Sequence, residues 1–199
     1  MTTPPPESAD SHAPWAEDMA QWYTDHYGEH SSNFKTMECA DLVADDQLLD
    51  IGCGSGAAVR EAARIVTHGK AVGLDFSPAM IRIAKEKTSE AISDRVEYVV
   101  GSAISLPFEK DSMTVVTAIN SIHHWPNPAV GLAEVRRVLQ PGGKLLVTDD
   151  VLSEEERAQR HTFDAAKVHE LLSEAGFSQI ESEVFNNPDG TIVVVKGIG

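Results

Sequence analysis

No apolar run in this sequence approaches the roughly 20 residues that a helix needs to span a bilayer. No membrane insertion is therefore expected. The opening stretch, MTTPPPESADSHAP, has neither a basic start nor an apolar core, so it does not read as a secretory signal. Cysteine is scarce. Cys39 and Cys53 stand alone, with no disulfide framework and no metal-ligand spacing. A reducing, cytoplasmic setting is the expectation. Basic charge is also short, with 16 Lys and Arg against 31 Asp and Glu and a formal charge of −15. Nucleic-acid binders usually carry a basic footprint, and this chain carries the reverse, so no nucleic-acid partner is expected. Before residue 47 there are ten acids and one base, Lys35, which places −9 of the −15 in the first quarter. Such a charge serves solubility. No internal repeat appears at solenoid or propeller periods.

A length of 199 residues, 42% hydrophobic and 24% charged, allows one domain with a full core plus a short appendage. Residues 1–14 hold four prolines and few apolar side chains, and they read as a disordered tail. Residues 15–44 read as a helical cap. Trp15, Trp22, Tyr23 and Tyr27 recur at mostly helical spacings, and a second helix fits 33–43. Residues 45–199 alternate strand and helix patterns. Strands are expected at 47–52, 70–75, 96–101, 113–120 and 144–149, with helices at 56–67, 77–92, 128–139 and 165–175. A closing hairpin is expected around Asn187-Pro188-Asp189-Gly190. The stretch 150–164 reads as a short charged loop. Strands joined by such helices imply right-handed crossovers. The expected fold is a Rossmann-like, doubly wound α/β sheet of seven strands, mostly parallel, with the last strand antiparallel.

The chemistry concentrates in LLDIGCGSG, residues 48–56. An apolar strand ends beside Asp50, and Gly52, Gly54 and Gly56 follow at alternate positions. In an open parallel sheet, ligands bind at the carboxyl ends of the strands. Glycines there allow a sharp turn and let a ligand reach the main chain. The next strand ends in Asp75, 23 residues beyond Gly52, an acid suited to ribose hydroxyls. A nicotinamide or flavin site would read G-x-G-x-x-G over a pyrophosphate. This chain reads G-x-G-x-G, and Asp50 would repel phosphate but suit an ammonium group. A nucleoside without phosphate and with an amino-acid end fits better.

LLDIGCGSG, then VGLDFSPAMIRIAKEK, then GSAISLPFEKDSMTVVTAINSIHHWPNPAVGLAEVRRVLQPGGKLLVTDD together resemble the class I S-adenosylmethionine-dependent methyltransferases, in particular the ubiquinone and menaquinone C-methyltransferase-like group. The match spans roughly residues 45–150. It implies S-adenosyl-L-methionine as cofactor, S-adenosyl-L-homocysteine as product, and a small organic acceptor. It also implies roles. Asp50, Gly52, Cys53, Gly54, Ser55 and Gly56 would form the turn that holds the methionine end, with Asp75 on the ribose. Phe76 and Met80 would pack on adenine, under the loop Ser102-Ala103-Ile104. Asn120 would lie beside the sulfonium, and Tyr27, with Tyr23, would close the methyl site. Two positions depart from the family pattern. Ser102 stands where an acid usually meets the adenine amino group, and Thr114 replaces an aspartate at the start of the fourth strand.

Methyl transfer asks the protein mainly for approach geometry and exclusion of water, with a base only where the nucleophile must lose a proton. His123 and His124 are the base candidates, the alternative being that they pack to orient their loop. Asp149-Asp150 has no companion ligands, so no metal is expected. Two further readings compete: a cofactor-binding protein of the same fold with little or no turnover, and, disfavoured by the glycine spacing, a nicotinamide oxidoreductase. The short 150–164 segment leaves either an open pocket or one completed by another chain, so a homodimer is compatible with the sequence.

Overall fold

The computed structural model describes residues 15–160 and 162–199, and the expected tail at 1–14 lies outside them. Two helices, α1 (Glu17–Tyr27) and α2 (Ser31–Cys39), precede the alternating region. There follow β1 (Gln47–Ile51), α3 (Ala57–Ile65), β2 (Lys70–Asp75), α4 (Pro78–Lys87), β3 (Val96–Val100), β4 (Met113–Ile119), α5 (Pro128–Val138) and β5 (Leu139–Asp150). The chain closes with α6 (Glu154–Arg160), α7 (Ala165–Glu174), β6 (Ser178–Asn187) and β7 (Gly190–Ile198). The seven strands form one sheet in the order β3-β2-β1-β4-β5-β7-β6. β1 pairs in parallel with both β2 and β4, while β7 runs antiparallel to β5 and β6. The strand order reverses at β1/β4, which puts the turn after β1 at the crevice where ligands bind such sheets.

Each central strand is apolar on both faces, because helices cover both faces. Leu49, Val116 and Leu145 pack on one side with Leu132 and Val135 of α5 and Leu172 of α7. Leu48, Val115 and Leu146 pack on the other with Ala58, Val59 and Ala62 of α3 and Met37 of α2. Caps set the helix starts that frame the site. Ser77 caps α4 through Met80 N–H, with Pro78 in the first turn, and Asn127-Pro128 does the same for α5.

The boundaries differ from expectation in four places. α2 stops at Cys39, just before Asp41 takes a positive φ of 46°. α4 stops at Lys87, because Thr88 turns extended (ψ 122°) and binds Tyr98 Oη at 3.0 Å. β5 starts at Leu139, which pairs with Met113 before the register shifts. The segment 150–164 holds α6 rather than a loop. Ser153 Oγ accepts from Glu156 N–H (3.3 Å), and Glu156 Oε2 accepts from Ser153 N–H (2.9 Å). That reciprocal pair is a capping box, legible as S-x-x-E. Thr114, the departure at the start of β4, donates to Asp46 Oδ1 (2.7 Å) and accepts from Gln47 N–H (2.9 Å), tying β4 to β1.

Candidate functional site

The three glycines after β1 all take positive φ, at 78°, 51° and 80°, and each does so for a different neighbour. A Cβ on Gly52 would lie 2.5 Å from Ser121 Cβ, where Ser121 Oγ donates to Ile51 O at 2.6 Å. Gly52 therefore lets the β1 and β4 loops touch. A Cβ on Gly56 would lie 2.4 Å from Tyr98 Oη, so Gly56 serves the packing of α3 on β3. A Cβ on Gly54 meets nothing within 4 Å. Gly54 faces open space, and that space is a ligand-sized hollow.

The hollow has two chambers, of about 350 and 410 Å³. The first is walled by Asp75, Phe76, Met80, Ser102, Ala103 and Trp125. The second is walled by Tyr27, Ser32, Cys53, Ser55, His123 and Asp149. Gly52, Gly54, Ile119, Asn120, Tyr23 and His124 border both. Of the expected residues, three lie off the chamber walls. Asp50 is 1% exposed behind the turn, where Thr117 Oγ1 donates to it at 2.7 Å. Gly56 is turned toward Tyr98. Ile104 is 36% exposed and lines neither chamber.

Asp75 is fixed by main-chain donors: Gly54 N–H reaches Oδ2 at 2.9 Å and Ser77 N–H reaches Oδ1 at 2.8 Å. Burial raises its pKa, and those N–H groups pull it back. Each carboxylate oxygen keeps a second lone pair for a hydroxyl donor. Asn120 takes φ 48°, its N–H bonded to Thr148 O at 2.8 Å. Asparagine tolerates this left-handed conformation better than most residues. Its Oδ1 is buried without a partner, while Nδ2 donates to Ser32 Oγ at 3.3 Å. An orphaned acceptor at the junction of two chambers, beside a glycine facing open space, fits a ligand that supplies polar hydrogens. Cys53 is buried, and burial pushes its thiol pKa well up, which leaves it protonated and packing against Gly73.

Burial raises Asp50 to about 7, against the pull of the Thr117 hydroxyl. A carboxyl whose folded pKa is raised stabilises the fold below its ordinary value near 4 and loses that contribution as pH climbs through about 7. Each tenfold difference in proton affinity between the folded and unfolded chain is worth about 1.4 kcal/mol. Asp50→Asn keeps an acceptor for Thr117 without the titration. Urea unfolding from pH 4 to 8 should show the wild-type chain losing more stability than the variant across that window. Parallel curves would remove the assignment.

The spacing-of-four series Trp15, Met19, Tyr23, Tyr27 along α1 and its approach closes the hollow from above. Trp15 and Met19 join the expected tyrosines as walls, and that spacing is the signal in the sequence that places them there. Tyr23 packs at a tilt between Trp15 (4.8 Å) and Tyr27 (5.2 Å). Its pKa is pushed up to about 12 by burial and by Asp150 and Asp75, so it stays a neutral phenol. The strap is pinned by Ser77 Oγ, which donates to Trp15 O at 3.2 Å, by an Arg82–Glu17 ion pair, and by Arg60 on Glu29 (2.6 Å). Among the described residues no cluster of three potential ligands could hold a metal, and no helix is long and apolar enough to cross a membrane.

Residues 49–147 match the family model of a methyltransferase domain. The demethylmenaquinone methyltransferase of Lactococcus lactis is 38% identical over 113 residues, covering 56% of this chain and 45% of that one. The 27-O-demethylrifamycin SV methyltransferase of Amycolatopsis mediterranei is 32% identical over 147 residues, covering 69% and 53%. The chain thus spans about half the length of these relatives. A SAM-dependent methyltransferase from Aquifex aeolicus superposes with a TM-score of 0.77 at 18% identity, over 92% of this chain and 98% of that one. The strand order, the glycine turn backed by Asp75 and the matched domain agree: the chain belongs to the class I S-adenosylmethionine-dependent methyltransferase family.

Proposed function

We propose that this protein transfers a methyl group from S-adenosylmethionine to a small organic acceptor. The observation that carries the reading is the pair of chambers joined at Gly54 and Asn120. One chamber has the acid, the apolar wall and the loop suited to an adenosine. The other opens on the far side of the junction, where an acceptor would sit. A protein that only bound the cofactor would have no need of it. When bound, the cofactor supplies a methyl group made electrophilic by its sulfonium. The chain supplies the rest. Asp75 accepts from the ribose hydroxyls, and Phe76, Met80 and Ala103 sandwich the base. Ser102 meets the adenine amino group. Gly54 admits the methionine end, and Asp50 behind the turn ties β1 to β4 through Thr117. Tyr23 and Tyr27 hold aromatic faces over the junction, an arrangement favourable to a sulfonium, and the α1 strap excludes water.

Calorimetry with S-adenosylhomocysteine and with NAD tests the cofactor half, and binding of NAD alone would overturn it. In the same assay Ser102→Asp should tighten S-adenosylhomocysteine several-fold, since a charged acceptor is worth about 1 kcal/mol more than a hydroxyl. An analogue lacking the adenine amino group should gain nothing. Equal gains for both ligands would move the amino group away from this loop.

A further inference from the structure

Within the second chamber one contact is left without a part in cofactor binding. His123 Nδ1 lies 2.9 Å from Asp149 Oδ2, with the two side chains 7% and 3% exposed. The partners come from different elements. His123 sits in the short 3-10 turn after β4, and Asp149 lies at the end of β5. Asp149 Oδ1 in turn accepts from Asp150 N–H at 3.2 Å. Facing a carboxylate, which accepts hydrogen bonds, Nδ1 serves as the donor, and Nε2 of the neutral ring is the nitrogen left to take a proton. A histidine held that way is a base set in one tautomer. Besides His123 and Asp149, the titratable groups bordering the chamber are Tyr23, Tyr27, His30, Cys53, His124 and Asp150, with the His124 ring 4.2 Å from that of His123. Among the described lining residues there is no lysine or arginine, so no permanent cation faces a carboxylate or phosphate acceptor there. Trp22, Tyr23 and Tyr27 give the chamber flat aromatic walls.

We propose that His123, positioned by Asp149, is the general base for a planar acceptor bearing an uncharged phenolic or enolic hydroxyl. The inference rests on the methyl-transfer reading above. The acceptor hydroxyl gives its proton to His123 Nε2. Its oxygen pair forms the new O–C bond to the methyl carbon, and the C–S bonding pair stays on sulfur, leaving a neutral thioether. The imidazolium then releases its proton to solvent. One methyl moves, one proton is freed, and no oxidant or reductant is needed. Asp149 touches neither reactant and acts only through His123.

The test needs no turnover. The full chain is first saturated with S-adenosylhomocysteine, followed by calorimetry. 4-Cyanophenol is then added, and its near-ultraviolet spectrum reports phenol against phenolate across a pH series. With the wild-type chain, the bound probe should ionise at least about tenfold more readily than in water, one pKa unit. Asp149→Asn should abolish most of that gain while leaving affinity for the neutral phenol within about threefold, a difference well under 1.4 kcal/mol. His123→Gln should abolish it too, and keeps a polar side chain of similar reach should His123→Ala fail to fold. A probe that ionises as it does in water, that ionises equally in all three proteins, or that does not bind at all overturns the proposal. A gain lost in His123→Gln but kept in Asp149→Asn overturns the role of Asp149. Failure of S-adenosylhomocysteine to bind appears before the phenol is added, and it sinks the cofactor reading instead.

Discussion

Gly54→Val is expected to abolish S-adenosylhomocysteine binding in calorimetry while the protein still unfolds cooperatively. Two effects act together. The valine Cβ enters space that no atom outside the flanking residues occupies within 4 Å, so the side chain is directed at the ligand and not at the core. The backbone there has φ 51°, which β-branched residues adopt only with strain. The strain costs on the order of 1–3 kcal/mol of stability, a drop that thermal unfolding detects without loss of the fold. Gly56→Val gives the contrast. Its Cβ would strike the Tyr98 hydroxyl, so the damage should appear first as instability. If Gly54→Val binds normally, the glycine serves the turn alone and the ligand path runs elsewhere.

Asp75→Ala should weaken S-adenosylhomocysteine by about 10- to 150-fold, the equivalent of 1.5–3 kcal/mol for hydrogen bonds to a charged group. The same change frees Gly54 N–H and Ser77 N–H, so part of the loss would come from a loosened glycine turn. The 2′-deoxy analogue separates the two parts. If Asp75 holds the ribose, the wild-type chain should prefer the parent ligand and the alanine variant should not. An unchanged dissociation constant in Asp75→Ala would remove the ribose assignment.

Much of this architecture is legible in the residues because the signals are local. QLLDI and KAVGLD are apolar runs carrying an acid at or near their ends, and Ser77-Pro78 and Asn127-Pro128 announce helices through chemistry confined to one turn. The glycine spacing likewise puts a ligand turn after β1. It does not tell the three glycines apart, because the atoms that distinguish them, on Ser121 and Tyr98, come from the β4 side and from β3 through the register of the sheet. The same holds for Asp149. In sequence it is one of two acids at a strand end, and only the β4–β5 pairing carries it to a histidine 26 positions earlier. The α1 strap is a milder case. A spacing of four links Trp15 and Met19 to the tyrosines, but an aromatic pattern alone passes over a methionine. At α6 the run of charge masks a capping box, because S-x-x-E sits inside a stretch with almost no apolar periodicity to mark a helix.

The tie between Ser31 and Asp189 bears on when the site becomes complete. Ser31 N–H, at the start of α2, donates to Asp189 Oδ2 at 2.8 Å, and Asp189 lies in the β6–β7 turn 158 positions downstream. Thr36 Oγ1 meets Thr148 Oγ1 at 2.7 Å, and Lys144 Nζ donates to Ala40 O at 2.5 Å, so further anchors of α2 are also late in the chain. During synthesis α2 leaves the ribosome long before any of these partners exists. The second chamber's α2 wall is therefore made well before the side chains that tie it by hydrogen bonds. A chain that has finished β4 can form the glycine turn and pack Met37 of α2 against Leu48 and α3, yet the polar ties of α2 wait for β5 and for the β6–β7 turn. Shortening the β6–β7 turn would therefore loosen the start of α2 without touching a single residue that lines either chamber.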